Sequence, residues 1–257
     1  MKNLTMLLLF LIVSSTTSLF AQAQPKKPDT LSTCISLQYG IGKFAVTDKY
    51  ISGEKYSGTL PFFGISWMKK HDTYLYLLSM KFRNSDQIMN NNAYTDITQF
   101  TLNQGFLYKL KNYKLFNKDL YAWIGPETEV YLFYNNPEVA VSGFDFAQSL
   151  AALISLGINT KANYPISDSF QIESGLKLTV LSLGFRMVDS EDDDTSPAKL
   201  LTFLAGLNSS FDIGIRYRLI NNISISLGYK FEYTRISVWD KLSAASDNFI
   251  AGLSYHF

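Results

Sequence analysis

The chain lacks the residues that several common functions need. Its single cysteine, Cys34, excludes an intrachain disulfide. Only two histidines occur, His71 and His256, and no Cys/His cluster has the spacing of a zinc site. The 23 basic residues nearly balance the 22 acidic ones, so the basic surface of a nucleic-acid-binding protein is absent. We therefore expect no nucleic-acid partner and no cofactor.

Long hydrophobic runs are also missing from the rest of the chain after the N-terminal segment. No stretch there approaches the roughly 20 apolar residues of a membrane-spanning helix. In the N-terminal segment, Lys2 precedes a short apolar core, and Ala21-Gln22-Ala23 fits a small-x-small cleavage site. We predict a signal peptide over residues 1–23; the alternative, a membrane anchor, is disfavoured because the apolar core is short. We also predict a polar leader over residues 24–30 and one domain over residues 31–257.

Aromatic residues are abundant, at 15% of the chain, and they recur with a period of two. In the last segment, one face of an extended strand carries only apolar residues, and the other carries mainly small or polar residues with Ile250 as the exception. The apolar set is Phe249, Ala251, Leu253, Tyr255 and Phe257. Ten such segments follow one another from Leu31 onward, which indicates an all-β chain.

The connections between these segments alternate in length. Those after odd-numbered strands are long and polar, and those after even-numbered strands are mostly short. The long ones cover residues 47–58, 83–93, 135–145, 188–199 and 237–246. Long loops at one end and short turns at the other are typical of outer-membrane barrels. We predict a closed antiparallel up-and-down transmembrane β-barrel of about ten strands, with eight or twelve as the alternatives.

The polar faces favour a membrane barrel over a soluble β-barrel or sandwich, which is the alternative. They are rich in glycine and serine, as the crowded interior of a narrow barrel requires, and they carry mid-strand charges of both signs. We predict that these charges form a structural network in the lumen, although lining a conduction path is the alternative role. The set is Glu127, Glu129, Glu173, Lys177, Asp212, Arg216, Lys230 and Glu232.

The amphipathic strands, the signal peptide and the ending Tyr255-His256-Phe257 resemble those of the small outer-membrane β-barrel proteins of Gram-negative bacteria, including PorT-like barrels. The resemblance implies a location in the cell outer membrane, with lipid and the barrel-assembly machinery as partners. It also implies that the assembly machinery reads the last strand through Phe249, Leu253, Tyr255 and Phe257. Such barrels include adhesins, assembly factors, narrow pores and a few enzymes, so the resemblance selects no single function.

Few residues of the chain are candidates for catalysis or metal binding. Barrel hydrolases that this chain could resemble use a histidine near the extracellular rim, whereas His71 and His256 both fall at the short-turn, periplasmic end. The acidic run 189–194 could bind calcium, but it lacks the spaced Asp, Asn and Gly of a calcium loop, and a solvated loop is favoured. Leu183 and Phe185 break the alternation after Val180, as either a bulge or a strand extending beyond the membrane would produce.

We therefore predict a non-enzymatic integral outer-membrane barrel with no metal site. Its predicted work is surface binding, or service as a subunit of an envelope complex with an envelope protein as partner, through the long extracellular loops. The alternative is a narrow channel for ions or small solutes. An outer-membrane hydrolase is the least favoured possibility.

Overall fold

The computed structural model describes most of the chain from Thr33 onward. The described ranges are residues 33–49, 51, 53–90, 93–111, 113–139, 148–188, 196–238 and 241–257. The predicted signal peptide, the predicted leader and the acidic run 189–194 lie outside them.

All regular elements in the described ranges are β-strands. They are β1 (Thr33–Asp48), β2 (Lys55–Thr59), β3 (Phe62–Lys70), β4 (Tyr74–Met89), β5 (Ala93–Lys109), β6 (Tyr113–Leu115), β7 (Lys118–Val139), β8 (Ser149–Pro165), β9 (Phe170–Val188), β10 (Ser196–Thr202), β11 (Gly206–Ile220), β12 (Ile223–Ile236) and β13 (Leu242–His256). None of the residues described here forms a helix long and apolar enough to cross a membrane.

The strands form a closed antiparallel ring with ten positions. β2 and β3 share one position, because both lie between β1 and β4 and are separated only by Leu60 and Pro61. β10 and β11 share another beside β9, with a turn over residues 203–205 between them. Among the described strands the short β6 pairs only with β7, and it lies outside the ring. The predicted barrel architecture and strand number are therefore confirmed.

The ring closes between β1 and β13, as the terminal strand's apolar face had suggested. Their register runs from the Cys34–His256 pair to the Asp48–Leu242 pair without a shift. The backbone N–H of Phe257 donates to the carbonyl oxygen of Thr33 at 3.0 Å, and Thr33 N–H donates back to Phe257 at 3.2 Å. Each of the ten positions is paired on both sides, so the ring is closed, although β10 itself pairs only with β9 in the described part of the chain.

The polarity of the two sheet faces inverts along β1. Near the short turns, β1 points Leu37 and Ile41 outward, where they are 57% and 47% exposed. Farther along the same strand, Phe44 and Val46 are buried inside the barrel, and the outward residue Lys43 is charged. A strand surrounded by lipid needs an apolar outer face, whereas one surrounded by water needs an apolar inner face. The inversion therefore marks where the wall leaves the membrane.

This inversion explains why strand structure replaces part of the predicted long loops; residues 140–147 and 189–195, which hold most of two of these loops, lie outside the described residues. Strand structure continues through much of the predicted loop sequence, to Asp48 in β1, to Met89 in β4 and to Val139 in β7. β7 has 22 residues, about twice the 9–11 that a bilayer requires. The segments are polar because their outer faces meet water, not because they lack regular structure.

The break in alternation along β9 is a β-bulge. The pairing of β8 with β9 shifts between Leu156 and Gly157, whose partners are Leu181 and Thr179. Val180 and Leu181 consequently both point outward, at 50% and 37% exposure, and this resolves the two alternatives that the sequence left open.

The β6–β7 hairpin at the short-turn end has a strained turn. Leu115 pairs with Lys118, which leaves Phe116 and Asn117 as a two-residue loop. Their φ angles are 48° and 63°, as in a type I′ turn, which favours Asn-Gly. Phe116 is also 86% exposed, so burial of its ring does little to offset the strain.

We predict that replacing Phe116 by asparagine and Asn117 by glycine raises the free energy of unfolding by about 1 kcal/mol, because both residues tolerate positive φ. Urea unfolding of the refolded barrel measures this. Tyr113→Asn, in the same hairpin but without positive φ, is the control and should bring no gain. An equal gain in both variants would show that the effect comes from removing an exposed aromatic ring.

Candidate functional site

The lumen within the membrane-spanning part holds the predicted charges. All eight lie on inward positions, and the structure brings them into ion pairs. Lys177 pairs with Glu129, and its Nζ lies 3.9 Å from a carboxylate oxygen of Glu127. The other pairs are Lys161–Asp212 at 2.9 Å, Arg216–Glu173 at 3.0 Å and Lys230–Glu232 at 3.2 Å.

Sequence reasoning missed several members of this network. Glu232 also pairs with Lys81 and with Arg83, and Arg83 Nη1 donates to Ser246 Oγ at 2.9 Å. Arg83 was assigned to a loop, and Lys81 was left without a role. The sequence could have shown this, because Lys81 and Arg83 lie an even number of residues after Leu75 on β4 and therefore share its inward face.

An apolar core fills the barrel interior toward the end opposite the short turns. It comprises Phe44, Val46, Tyr56, Leu60, Ile88, Ala93, Ile97, Tyr131, Phe133, Ala151, Leu153, Leu201, Ile236, Leu242 and Ala244. Leu201 on β10 is inside and 1% exposed, although odd-numbered residues such as Phe211 and Ile213 on β11 point outward. It changes face because the turn over residues 203–205 resets the alternation before β11.

A chamber of about 250 Å³ occupies the lumen toward the short turns. Its two sides differ in chemistry. One side is formed by apolar and aromatic residues, including Leu75, Leu77 and Trp123. The other presents ion-paired side chains, including Lys161, Asp212, Glu173 and Arg216. Lys70, the exposed last residue of β3, also lines the chamber and places its mouth at the short-turn end.

Both histidines lie at the short-turn end. The ring of His71 stacks on Tyr74 at a centroid distance of 4.7 Å. His256 Nε2 lies 2.8 Å from Ser224 Oγ in a hydrogen bond. No carboxylate among the described residues hydrogen-bonds to His256, so the pair lacks the third group that orients a catalytic histidine. The described ranges contain no group of three His, Cys, Asp or Glu residues that could hold a metal ion.

The four residues of the predicted assembly signal all face outward. Phe249 is 72% exposed, and Leu253, Tyr255 and Phe257 are each about half exposed. The rings of Tyr255 and Phe257 stack at a centroid distance of 6.0 Å. Their recognition by the assembly machinery stays a prediction.

We predict that Phe257→Ser lowers the amount of folded barrel in the membrane several-fold, because the assembly signal is weakened. Phe63→Ser removes a comparably exposed aromatic side chain on β3 outside the signal, and should leave that amount near normal. Heat-modifiable gel mobility of isolated membranes measures both. Similar losses in the two variants would mean that general lipid contact, and not recognition of the last strand, limits assembly.

No protein-family model matches the chain, and no curated protein sequence matches it. Solved structures do. The outer membrane protease OmpT from Escherichia coli is 12% identical with a TM-score of 0.50, covering 92% of this chain and 99% of its own. The translocator domain of the autotransporter NalP from Neisseria meningitidis is 8% identical with a TM-score of 0.50, covering 97% and 95%. At such identities the likeness shows the fold alone.

The fold is that of an outer-membrane β-barrel. Its exterior agrees with that environment, because the lipid-facing side chains in the lower part of the wall are apolar and exposed, among them Leu37, Phe63 and Leu253. The predicted outer-membrane location is confirmed. From the usual layout of such barrels we expect the short turns to face the periplasm and the extended strand ends to project from the cell surface.

Proposed function

We propose that the protein is a non-conducting, non-enzymatic barrel that acts through its extracellular end, in surface binding or as a subunit of an envelope complex. The observation that carries this proposal is the apolar core inside the projecting part of the barrel. Leu60, Ile97 and Leu153 in this core are fully buried. A continuous aqueous path needs polar or hydrated walls, whereas a packed apolar constriction excludes water and ions.

The projecting strands support the binding role. A wall with strands as long as the 22-residue β7 extends well beyond a bilayer, and the packed core makes this extension rigid. A rigid scaffold that carries connecting segments at its rim is a common arrangement for recognition. The rim therefore offers a preformed surface to a partner outside the cell or within the envelope.

The finer expectations remain predictions. One of them is the specific resemblance to PorT-like barrels, which goes beyond the general likeness to outer-membrane barrels. Hydrolysis is not proposed, because both histidines lie at the end opposite the cell surface and His256 has only a serine partner in the described hydrogen bonds. The channel alternative is disfavoured by the apolar core.

Planar-bilayer recording tests the proposal. Purified protein whose insertion is verified by heat-modifiable mobility should give no steady unitary currents. Such currents, if abolished by boiling the sample first, would establish the channel alternative.

Chemical crosslinking on intact cells is the second measurement. Replacing Met89 and Tyr94, which pair at the rim and are each nearly half exposed, by serine should reduce crosslinks to envelope partners, and the lipid-facing Phe63→Ser should not.

A further inference from the structure

Two lysines meet over an aromatic wall at the mouth of the periplasmic chamber. Lys70 ends β3 and Lys109 ends β5. Each places its Nζ 5.2 Å from the ring centroid of Tyr121, and Lys70 Nζ also lies 5.4 Å from that of Trp123. Of these residues, Lys70 and Trp123 line the chamber itself.

These two lysines differ from the other lysines of the lumen. Lys81, Lys161, Lys177 and Lys230 each form an ion pair with an acidic side chain. No ion pair joins Lys70 or Lys109 to a carboxylate within the described ranges. Two like charges that share one ring repel each other, and an anion placed between or beside them would relieve that repulsion.

The wall beneath the lysines is apolar and fixed in place. Trp123 is 1% exposed and packs with Leu75 and Leu107, which are also buried. The rings of Tyr121 and Trp123 stack at a centroid distance of 6.3 Å. The chamber, at about 250 Å³, exceeds the roughly 150 Å³ of a cavity known to hold benzene, so it has room for a ring and a charged group.

We propose that this chamber binds a small organic anion that carries an aromatic or similarly flat apolar group. The anionic group binds Lys70 and Lys109, and the apolar part lies against Met68 and Leu77, which line the chamber and are partly exposed. The apolar core at the other end of the barrel leaves the periplasm as the side of entry and exit. This site is separate from the surface-binding role, since it lies at the opposite end of the lumen.

The test uses 4-fluorophenylacetate as the probe and the detergent-purified full-length barrel, with fluorine NMR line broadening as the readout. The wild type should bind the probe, and the double variant Lys70→Gln, Lys109→Gln should bind it at least about tenfold more weakly, the effect of losing one charged hydrogen bond. Lys43→Gln, an exposed lysine on the outer face of β1, is the matched control and should bind like the wild type. Because the double variant removes uncompensated charge, it should fold, which heat-modifiable mobility verifies.

The sign of the charge is tested with 4-fluorobenzylammonium, which has a ring of the same kind and the opposite charge. It should bind at least about tenfold more weakly than the anion, again the effect of one charged contact. Equal binding of both probes, equal binding by the wild type and the double variant, or an equal loss in Lys43→Gln would each overturn the proposal, because detergent or nonspecific apolar contact would then account for the signal. Absence of anion binding to the wild type would overturn it as well.

Discussion

Replacing Asp48 by alanine should lower the free energy of unfolding by about 3–5 kcal/mol. Asp48 forms an ion pair with Arg186, and both side chains are only 1% exposed. Ser149 Oγ donates to the same carboxylate at 2.7 Å, and Asn135 Nδ2 does so at 3.5 Å. The substitution would leave the Arg186 guanidinium buried without the carboxylate that it pairs with. The cost of that buried charge exceeds the loss of a surface ion pair.

Urea unfolding of the refolded barrel, followed by tryptophan fluorescence, measures this loss. Asp247→Asn on the outer face of β13 is the control, because its side chain is exposed and its replacement should change stability by less than about 1 kcal/mol. Adding Arg186→Met to Asp48→Ala should recover much of the loss, since the buried guanidinium that lost the Asp48 carboxylate is then removed. A cost below about 1 kcal/mol for Asp48→Ala would contradict the buried ion pair.

The membrane-spanning part of the barrel could be predicted from the sequence because its alternation follows one rule throughout. Leu37 on β1 and Leu253 on β13 face lipid as expected, and Glu127 and Glu173 face the lumen. The prediction failed where the solvent around the barrel changes. Phe44 and Val46 continue the same strand, but their apolar side chains now face inward. A prediction that assumes one apolar outer face along the whole strand interprets such a reversal as the end of the strand.

The arrangement of the lumen charges required the three-dimensional structure for a different reason. Lys81 and Glu232 are 151 residues apart in the chain and meet only because β4 and β12 face each other across the barrel. Strand parity indicates that a side chain points inward, but not which inward side chain it meets. Lys70 and Lys109 were missed because a lysine at a strand end usually belongs to a solvated turn, and only the folded sheet, in which β3, β4, β5 and β7 are successive neighbours, brings both to Tyr121.

Glu232 is the residue of the lumen network whose loss should have the largest effect. One carboxylate pairs with Lys81, with Arg83 and with Lys230, the last at 3.2 Å. Arg83 is also held against the Phe62 ring at 5.1 Å, so it cannot readily turn to water. Neutralising Glu232 would therefore leave three cations close together inside a narrow barrel, where their repulsion is weakly screened.

We expect Glu232→Gln to lower the free energy of unfolding by about 3–5 kcal/mol, the cost of breaking a buried ion pair. Glu173→Gln is the matched control within the same lumen. Among the described residues Glu173 forms an ion pair only with Arg216 and accepts one hydrogen bond from Gln171. Its side chain is 24% exposed against 15% for Glu232, so its loss should cost about 1 kcal/mol or less. Urea unfolding of both refolded variants measures the difference.

A second substitution separates repulsion from a simple loss of contacts. If the three cations repel one another in Glu232→Gln, then adding Lys81→Met should restore part of the lost stability by removing one of them. If the loss in Glu232→Gln comes only from missing hydrogen bonds, removing Lys81 should lower stability further. Equal losses in Glu232→Gln and Glu173→Gln would show that the number of cations around a carboxylate does not set its contribution to the stability of this barrel.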